Sequence, residues 1–175
     1  MVIDADHGTI DSPLHPDQVE ILPGVPEAVA DLTAAGFGLA IVSNQPAFAK
    51  GKTTKQNLEA THQLILEKIQ AKGGTILSSH ICFHKAEDHC NCRKPKTDLL
   101  KFAFQQNPTY DKATSWIVGD GVTDVQAGAA YGIKTAYLGA RKGDALTIFH
   151  DLNIIPDAWL ATLPEFVAHL RVHVN

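Results

Sequence analysis

The chain has 175 residues, 45% of them hydrophobic and 19% charged, with a formal net charge of −4. Those proportions belong to one soluble globular domain, 1–175, and exclude a fibre or a disordered tail. No apolar run approaches the roughly 20 residues of a membrane-spanning helix. The opening MVIDADHG sets two acids where a signal peptide needs basic and then apolar residues, so a cytoplasmic protein is expected. The acidic balance argues against non-specific attraction to nucleic acid or to anionic lipid, and an anionic ligand must therefore be held by a local site.

The hydrophobic pattern alternates short β-branched runs with helical segments. A first run is only Val2 and Ile3, ahead of Asp4. PGVPEAVADLTAAG then reads as a helix with Pro26 in its first turn, Val29, Leu32 and Thr33 on one side, and Gly36 at its stop. Residues 38–43 read as a buried strand. Thr53 or Thr54 caps the next helix, where Leu58, His62, Ile65, Leu66 and Ile69 fall at helical spacing until Gly73 and Gly74. His62 on that face reads as a packed, hydrogen-bonded side chain. Residues 75–82 suit a third strand. Thr97 caps the helix DLLKFAFQQ, which Asn107-Pro108 ends. A strand at 115–118, a short helix at 123–131 closed by Gly132, a strand at 134–138, an edge strand at 157–160 and a helix at 163–172 complete the chain.

Five β-α alternations predict an α/β fold: a single doubly wound, Rossmann-like parallel sheet with helices on both faces. In such sheets functional groups collect beyond the carboxyl ends of the strands. The residues standing there are Asp4 and Asp6, Ser43 and Asn44, Cys82 and His84, then Asp120 and Asp124. Carboxylates converging at one sheet edge repel one another, and a hard cation resolves this, so Asp4, Asp6 and Asp120 are candidates for Mg²⁺. Read singly, each acid could instead cap the helix that follows it.

All three cysteines, Cys82, Cys90 and Cys92, lie within one short stretch, and an odd number so placed is no disulfide framework. Cys82-Phe-His84 and Cys90-Asn-Cys92 each offer two ligands on one side of an extended segment, with a short loop between the pairs. Three thiolates and one imidazole form a closed tetrahedral set, which favours structural Zn²⁺. His80 and His89 are alternatives to His84, which has the matching spacing.

The segments IVSNQ, CRKP and VGDGVTDVQAG, each at its own strand end and in this order, resemble the second, third and fourth motifs of the haloacid dehalogenase superfamily. PGVPEAV, SNQ, AFAKG, CNCRKP and DAWLATLPEF are similar, more narrowly, to the branch holding the D-glycero-D-manno-heptose 1,7-bisphosphate 7-phosphatases and the histidinol-phosphate phosphatases. The resemblance implies hydrolysis of a small phosphorylated sugar through an aspartyl-phosphate, by a monomer without a large cap domain. Heptose 1,7-bisphosphate is the first choice of substrate and histidinol phosphate the second. Carried onto this chain, it makes Asp4 the nucleophile and Asp6 the general acid and base. Mg²⁺ would lie between Asp4, the Asp6 carbonyl and Asp120. Ser43 and the Asn44 N–H would bind phosphate, Lys94 would neutralise charge, and Asp124 would orient Lys94 or a metal-bound water. Arg93 and Lys50 would face the rest of the substrate. Relatives carry zinc in a loop of this CxH…CxC form, here 82–92, directly ahead of Arg93 and Lys94.

The first motif departs from the family's DxDGT. His7 separates Asp6 from Gly8-Thr9, and few strand residues precede Asp4. One alignment treats His7 as an insertion and keeps Asp4 and Asp6 as the catalytic pair. Another matches DHG to a stretch several residues beyond the motif in some relatives, which makes the chain incomplete or a non-catalytic binding module. Pro46 and Ala47 replace a usual small polar pair, and Lys50 stands where Arg is common. These positions bear on the substrate more than on the reaction.

Overall fold

The computed structural model describes residues 2–4, 9–139 and 144–173. The chain divides into two compact units, residues 1–90 and 91–175.

In the first unit, β1 (Val2–Asp4) pairs antiparallel with β2 (Thr9–Asp11), Ile3 opposite Ile10. This departs from the expected parallel placement of the first strand, and β2 was not anticipated. Local pairing explains it: two three-residue strands so close in sequence meet at little closure entropy, whereas a parallel partner requires a crossover. Helix α1 (Val25–Ala34) begins after Gly24, whose φ of 77° is left-handed, and buries Ala28, Val29 and Leu32. Strand β3 (Ala40–Asn44) runs parallel to β4 (Ser78–Cys82), Ala40 opposite Ser78 and Asn44 opposite Cys82. Between them lies α2 (Lys55–Gln70), capped by Thr54, whose side chain accepts the Asn57 N–H at 3.1 Å. The cap is thus Thr54; Thr53 instead donates to the Leu14 carbonyl at 2.6 Å. Helices α1 and α2 pack together over Gly74, where a Cβ would come within 2.7 Å of Ile69 and 2.9 Å of Val29.

His62 is half-buried on α2, and desolvation holds its pKa below the usual imidazole value. The expected hydrogen bond is absent at one nitrogen: Nε2 is buried with no partner among the described residues.

The second unit is a parallel sheet in the order β5 (Trp116–Gly119), β6 (Lys134–Leu138), β7 (Ala158–Leu160). Its connections are α4 (Val122–Tyr131) and α5 (Asp144–Asp151), with α3 (Asp98–Gln106) ahead of the sheet and α6 (Leu163–His173) after it. The parallel β-α architecture is as expected from the sequence. Among the described residues, however, the parallel strands form two separate ladders, β3-β4 and β5-β6-β7, rather than one.

Helix α4 lies deepest: Val125 and Ala127 are fully buried, and a Cβ on Gly128 would strike Ile117 and Thr135. That close approach presses α4 onto β5 and β6 and fixes the turn between Gly119 and Val122. Tyr137, Phe149 and Trp159 form an edge-to-face triangle with centroids 5.1–5.4 Å apart, and the Trp159 indole N–H donates to the Gly139 carbonyl at 2.9 Å. Asp157 ties β6 to the strand beside it by accepting both the N–H and the hydroxyl of Thr135, at 2.7 and 2.9 Å. Thr97 precedes α3 as expected, but its side chain makes no capping bond.

Candidate functional site

The carboxyl end of β5 carries the charged part of the site. The chain leaves Gly119, passes Asp120 and enters α4 at Gly121. Asp124, one turn into α4, folds its carboxylate back over this turn and accepts the Gly121 N–H at 3.1 Å. A Cβ on Gly119 would overlap that carboxylate, and one on Gly121 would lie 2.9 Å from it, so the two glycines make room for Asp124.

The other carboxylate oxygen of Asp124 lies 2.6 Å from the Lys94 Nζ, and both side chains are buried, at 12% and 8% exposure. Of the two partners the sequence offered for Asp124, the structure shows Lys94. A buried ammonium so paired is fixed in position by its counter-ion. Arg93 is half-buried, and the bond that follows Lys94, Lys94–Pro95, is cis. Asp120 is exposed and follows the strand directly. A hard, exposed carboxylate at a strand end is the donor type magnesium takes. Asp124, whose oxygens take Lys94 and the Gly121 N–H, lies one helical turn further on. Asp4 closes β1, and Asp6 lies outside the described residues.

In the first unit, Ser43 and Asn44 end β3, both half-buried. The Gln45 N–H donates to the Cys82 carbonyl at 2.7 Å and extends the parallel ladder by one residue. Because successive N–H groups of a strand point to opposite edges, the Asn44 N–H is directed away from β4. Lys50 is exposed on the turn after β3, where its N–H donates to the Pro46 carbonyl at 3.0 Å; Ala47 in the same turn is buried.

The cysteine-rich loop starts where β4 ends. Cys82 is buried, His84 is exposed, a short 3-10 turn spans Ala86–Asp88, and Cys90 and Cys92 are half-buried. The Lys85 N–H donates to the Asp88 carboxylate at 3.0 Å, and His89 takes a left-handed φ of 49°, so the loop reverses within five residues. Its outcome is that one donor atom each from Cys82, His84, Cys90 and Cys92 all lie within 4.8 Å of one another. The Cys82 Sγ is 3.6 Å from the His84 Nδ1 and 3.6 Å from the Cys90 Sγ. A tetrahedron with metal–sulfur bonds of about 2.3 Å has edges of about 3.8 Å, close to the two 3.6 Å separations, so the spacing fits zinc as the chemistry of the donors does. Of the three histidines the sequence offered, His84 joins the cysteines; His80 instead lies 3.2 Å from the Ser78 hydroxyl.

Zinc removal is expected to unfold this loop first. Stripping the metal with a strong chelator, or changing Cys90 to Ser, should cost about 3 kcal/mol or more. For a chain of this size that lowers Tm by roughly 6–12 °C. Calorimetry with and without chelator, alongside metal analysis of the purified protein, measures this; an unchanged Tm with the zinc gone would remove the structural role.

A parallel α/β domain with a Gly-Asp-Gly turn, a buried Lys–Asp pair and acids at strand ends is the architecture of a hydrolase that handles anionic groups. The chain belongs to the haloacid dehalogenase-like hydrolase family, whose model matches residues 7–138. It is 30% identical over 148 residues to the D-glycero-beta-D-manno-heptose-1,7-bisphosphate 7-phosphatase of Pseudomonas aeruginosa, covering 79% of this chain and 83% of that protein. It is 32% identical over 118 residues to the histidine biosynthesis bifunctional protein HisB of Legionella pneumophila; this takes in 67% of this chain but only a third of the length of that protein. Among solved structures, the D,D-heptose 1,7-bisphosphate phosphatase of B. bronchiseptica, complexed with magnesium and phosphate, superposes with a TM-score of 0.80. It is 25% identical, covering 91% of this chain and 88% of that one.

The resemblance offered Lys94 as one of two partners for Asp124, but the room that Gly119 and Gly121 leave for the Asp124 carboxylate was not legible in the sequence. The residue it passed over is Gln45, named only as part of a motif, whose contacts depend on the β3-β4 register.

Proposed function

We propose that residues 1–175 act as one catalytic domain, a Mg²⁺-dependent, zinc-stabilised phosphatase that removes the 7-phosphate of D-glycero-D-manno-heptose 1,7-bisphosphate. The observation that carries this reading is the buried Lys94–Asp124 pair, a positive charge fixed at the end of β5 where a phosphoryl group needs one. The name and coverage of the P. aeruginosa relative support the choice of substrate.

In this reading Asp4 attacks phosphorus in line and forms an aspartyl-phosphate while the sugar oxygen leaves. Asp6 protonates that leaving oxygen. It then takes a proton from the water that attacks the phosphorus and frees Asp4. The Ser43 hydroxyl and the Asn44 N–H bind phosphate oxygens, and Lys94 neutralises the charge that gathers on them in the transition state. Arg93 and Lys50 contact the remainder of the substrate, the planar guanidinium suiting an anionic sugar. Asp4, the Asp6 carbonyl and Asp120 would hold magnesium, which would supply further charge neutralisation. The loop 82–92 holds zinc and sets the direction in which the chain leaves Cys92 for Arg93 and Lys94. No helix among the described residues is long and apolar enough to cross a membrane. We place the protein in the cytoplasm as a monomer, with a small phosphorylated substrate and no nucleic-acid or membrane partner.

Histidinol phosphate is the second reading, favoured by the similarity to HisB. Phosphate release with Mg²⁺ separates the two. The heptose bisphosphate should exceed histidinol phosphate in kcat/KM by about 10⁴-fold, the scale on which a site built to pair a substrate's polar groups rejects one lacking them. The reverse order assigns histidinol phosphate. Zinc and phosphate binding without turnover of any phosphomonoester makes the chain a binding module.

A further inference from the structure

We propose that Gln45 is a positioning residue that sets the donor direction of the Ser43 hydroxyl, so that its single proton points at the phosphate. This rests on the reading of Ser43 as a phosphate ligand.

Gln45 is held from two sides. Its backbone N–H donates to the carbonyl of Cys82 at 2.7 Å, which fixes it to the strand end that also carries a member of the zinc-binding set. Its side-chain Nε2 donates to the Ser43 Oγ at 3.3 Å. The remaining amide atom, Oε1, is buried with no hydrogen-bond partner among the described residues.

A serine hydroxyl has one proton to give and two lone pairs that accept. By accepting from Gln45, Ser43 keeps its proton for another group, and a phosphate oxygen, which only accepts, requires that polarity. A side chain at 45 without a donor would leave the hydroxyl to rotate among local acceptors. A carboxylate there would take the proton outright. Burying an amide with one end unpaired costs stability, and packing alone would be served better by an apolar chain of the same length. The amide therefore fits a role in the polarity of Ser43 rather than in the core.

Binding of inorganic phosphate to the zinc-loaded full chain, followed by titration calorimetry, tests this apart from catalysis. Gln45→Met should weaken phosphate binding about 5–10-fold, the loss of one well-placed hydrogen bond. It should raise KM more than it lowers kcat, with zinc content unchanged. Ser43→Ala should weaken binding by a similar factor, and the double variant should bind no worse than Ser43→Ala alone. Gln45→Glu, of the same size, should weaken binding at least as much as Gln45→Met. Wild-type binding in Gln45→Met or Gln45→Glu overturns the proposal, as does a Gln45→Met loss that persists in full on the Ser43→Ala background. If the unaltered protein binds no phosphate, the phosphatase reading itself falls, and the proposal with it.

Discussion

Replacing Lys94 with Met is expected to lower kcat/KM for the heptose bisphosphate by about 10³-fold. Loss of a preorganised charge aimed at a transition state costs on that scale. The substitution does a second thing, because Lys94 and Asp124 lie 2.6 Å apart and both are buried. Without the ammonium, the Asp124 carboxylate keeps its bond to the Gly121 N–H but has lost its counter-ion, and breaking a buried pair from one side costs about 3–5 kcal/mol. Lower activity could then arise from an unfolded fraction alone. The double variant Lys94→Met with Asp124→Asn separates the effects: it removes the stranded charge, so Tm should return most of the way while turnover stays low. Steady-state kinetics and calorimetry on the three proteins measure this. Recovery of activity along with stability would reduce Lys94 to a structural role.

Asp4→Asn should release no phosphate above background, a loss of at least about 10³-fold, because an amide of the same shape cannot form the acyl phosphate. Phosphate affinity should change little or improve, since a negative charge has been removed near an anion. Those two readings together are what a nucleophile requires; equal turnover by Asp4→Asn and the unaltered protein would discard the assignment. The same measurement chooses between the two alignments of the first motif, because only the one that treats His7 as an insertion places chemistry at Asp4.

The helices with one clear apolar face were legible in the sequence. Leu58, Ile65 and Ile69 announce α2, and the Gly132 stop announces the end of α4. Helix α5 was not legible: its eight residues make barely two turns, too short a run for Ala145, Ile148 and Phe149 to establish a period. Strand β2 escaped because three residues flanked by polar ones carry no period. At the site, spacing proposed the zinc donors because they lie within one loop, and the choice of His84 followed from the alternation of an extended chain. The Lys94–Asp124 pair, thirty positions apart, came from the family resemblance and not from spacing, and the resemblance left Lys94 and a metal-bound water as alternative partners until the structure placed the ammonium 2.6 Å from the carboxylate. Gln45 was out of reach, because nothing in SNQ says which neighbour the amide touches until β4 is laid beside β3.

The two tryptophans of the chain, Trp116 and Trp159, both lie in the second unit, packed against Phe166 and against Tyr137 and Phe149. Intrinsic emission at the indole wavelength is therefore a report on residues 91–175 only. A denaturation curve followed in this way has no chromophore of that kind to register the loss of β3, β4, α1 or α2. Far-ultraviolet dichroism, or the reactivity of Cys82 towards a thiol reagent, supplies the missing signal. Superposition of the optical and chemical curves is then the criterion for whether the chain melts as one cooperative block.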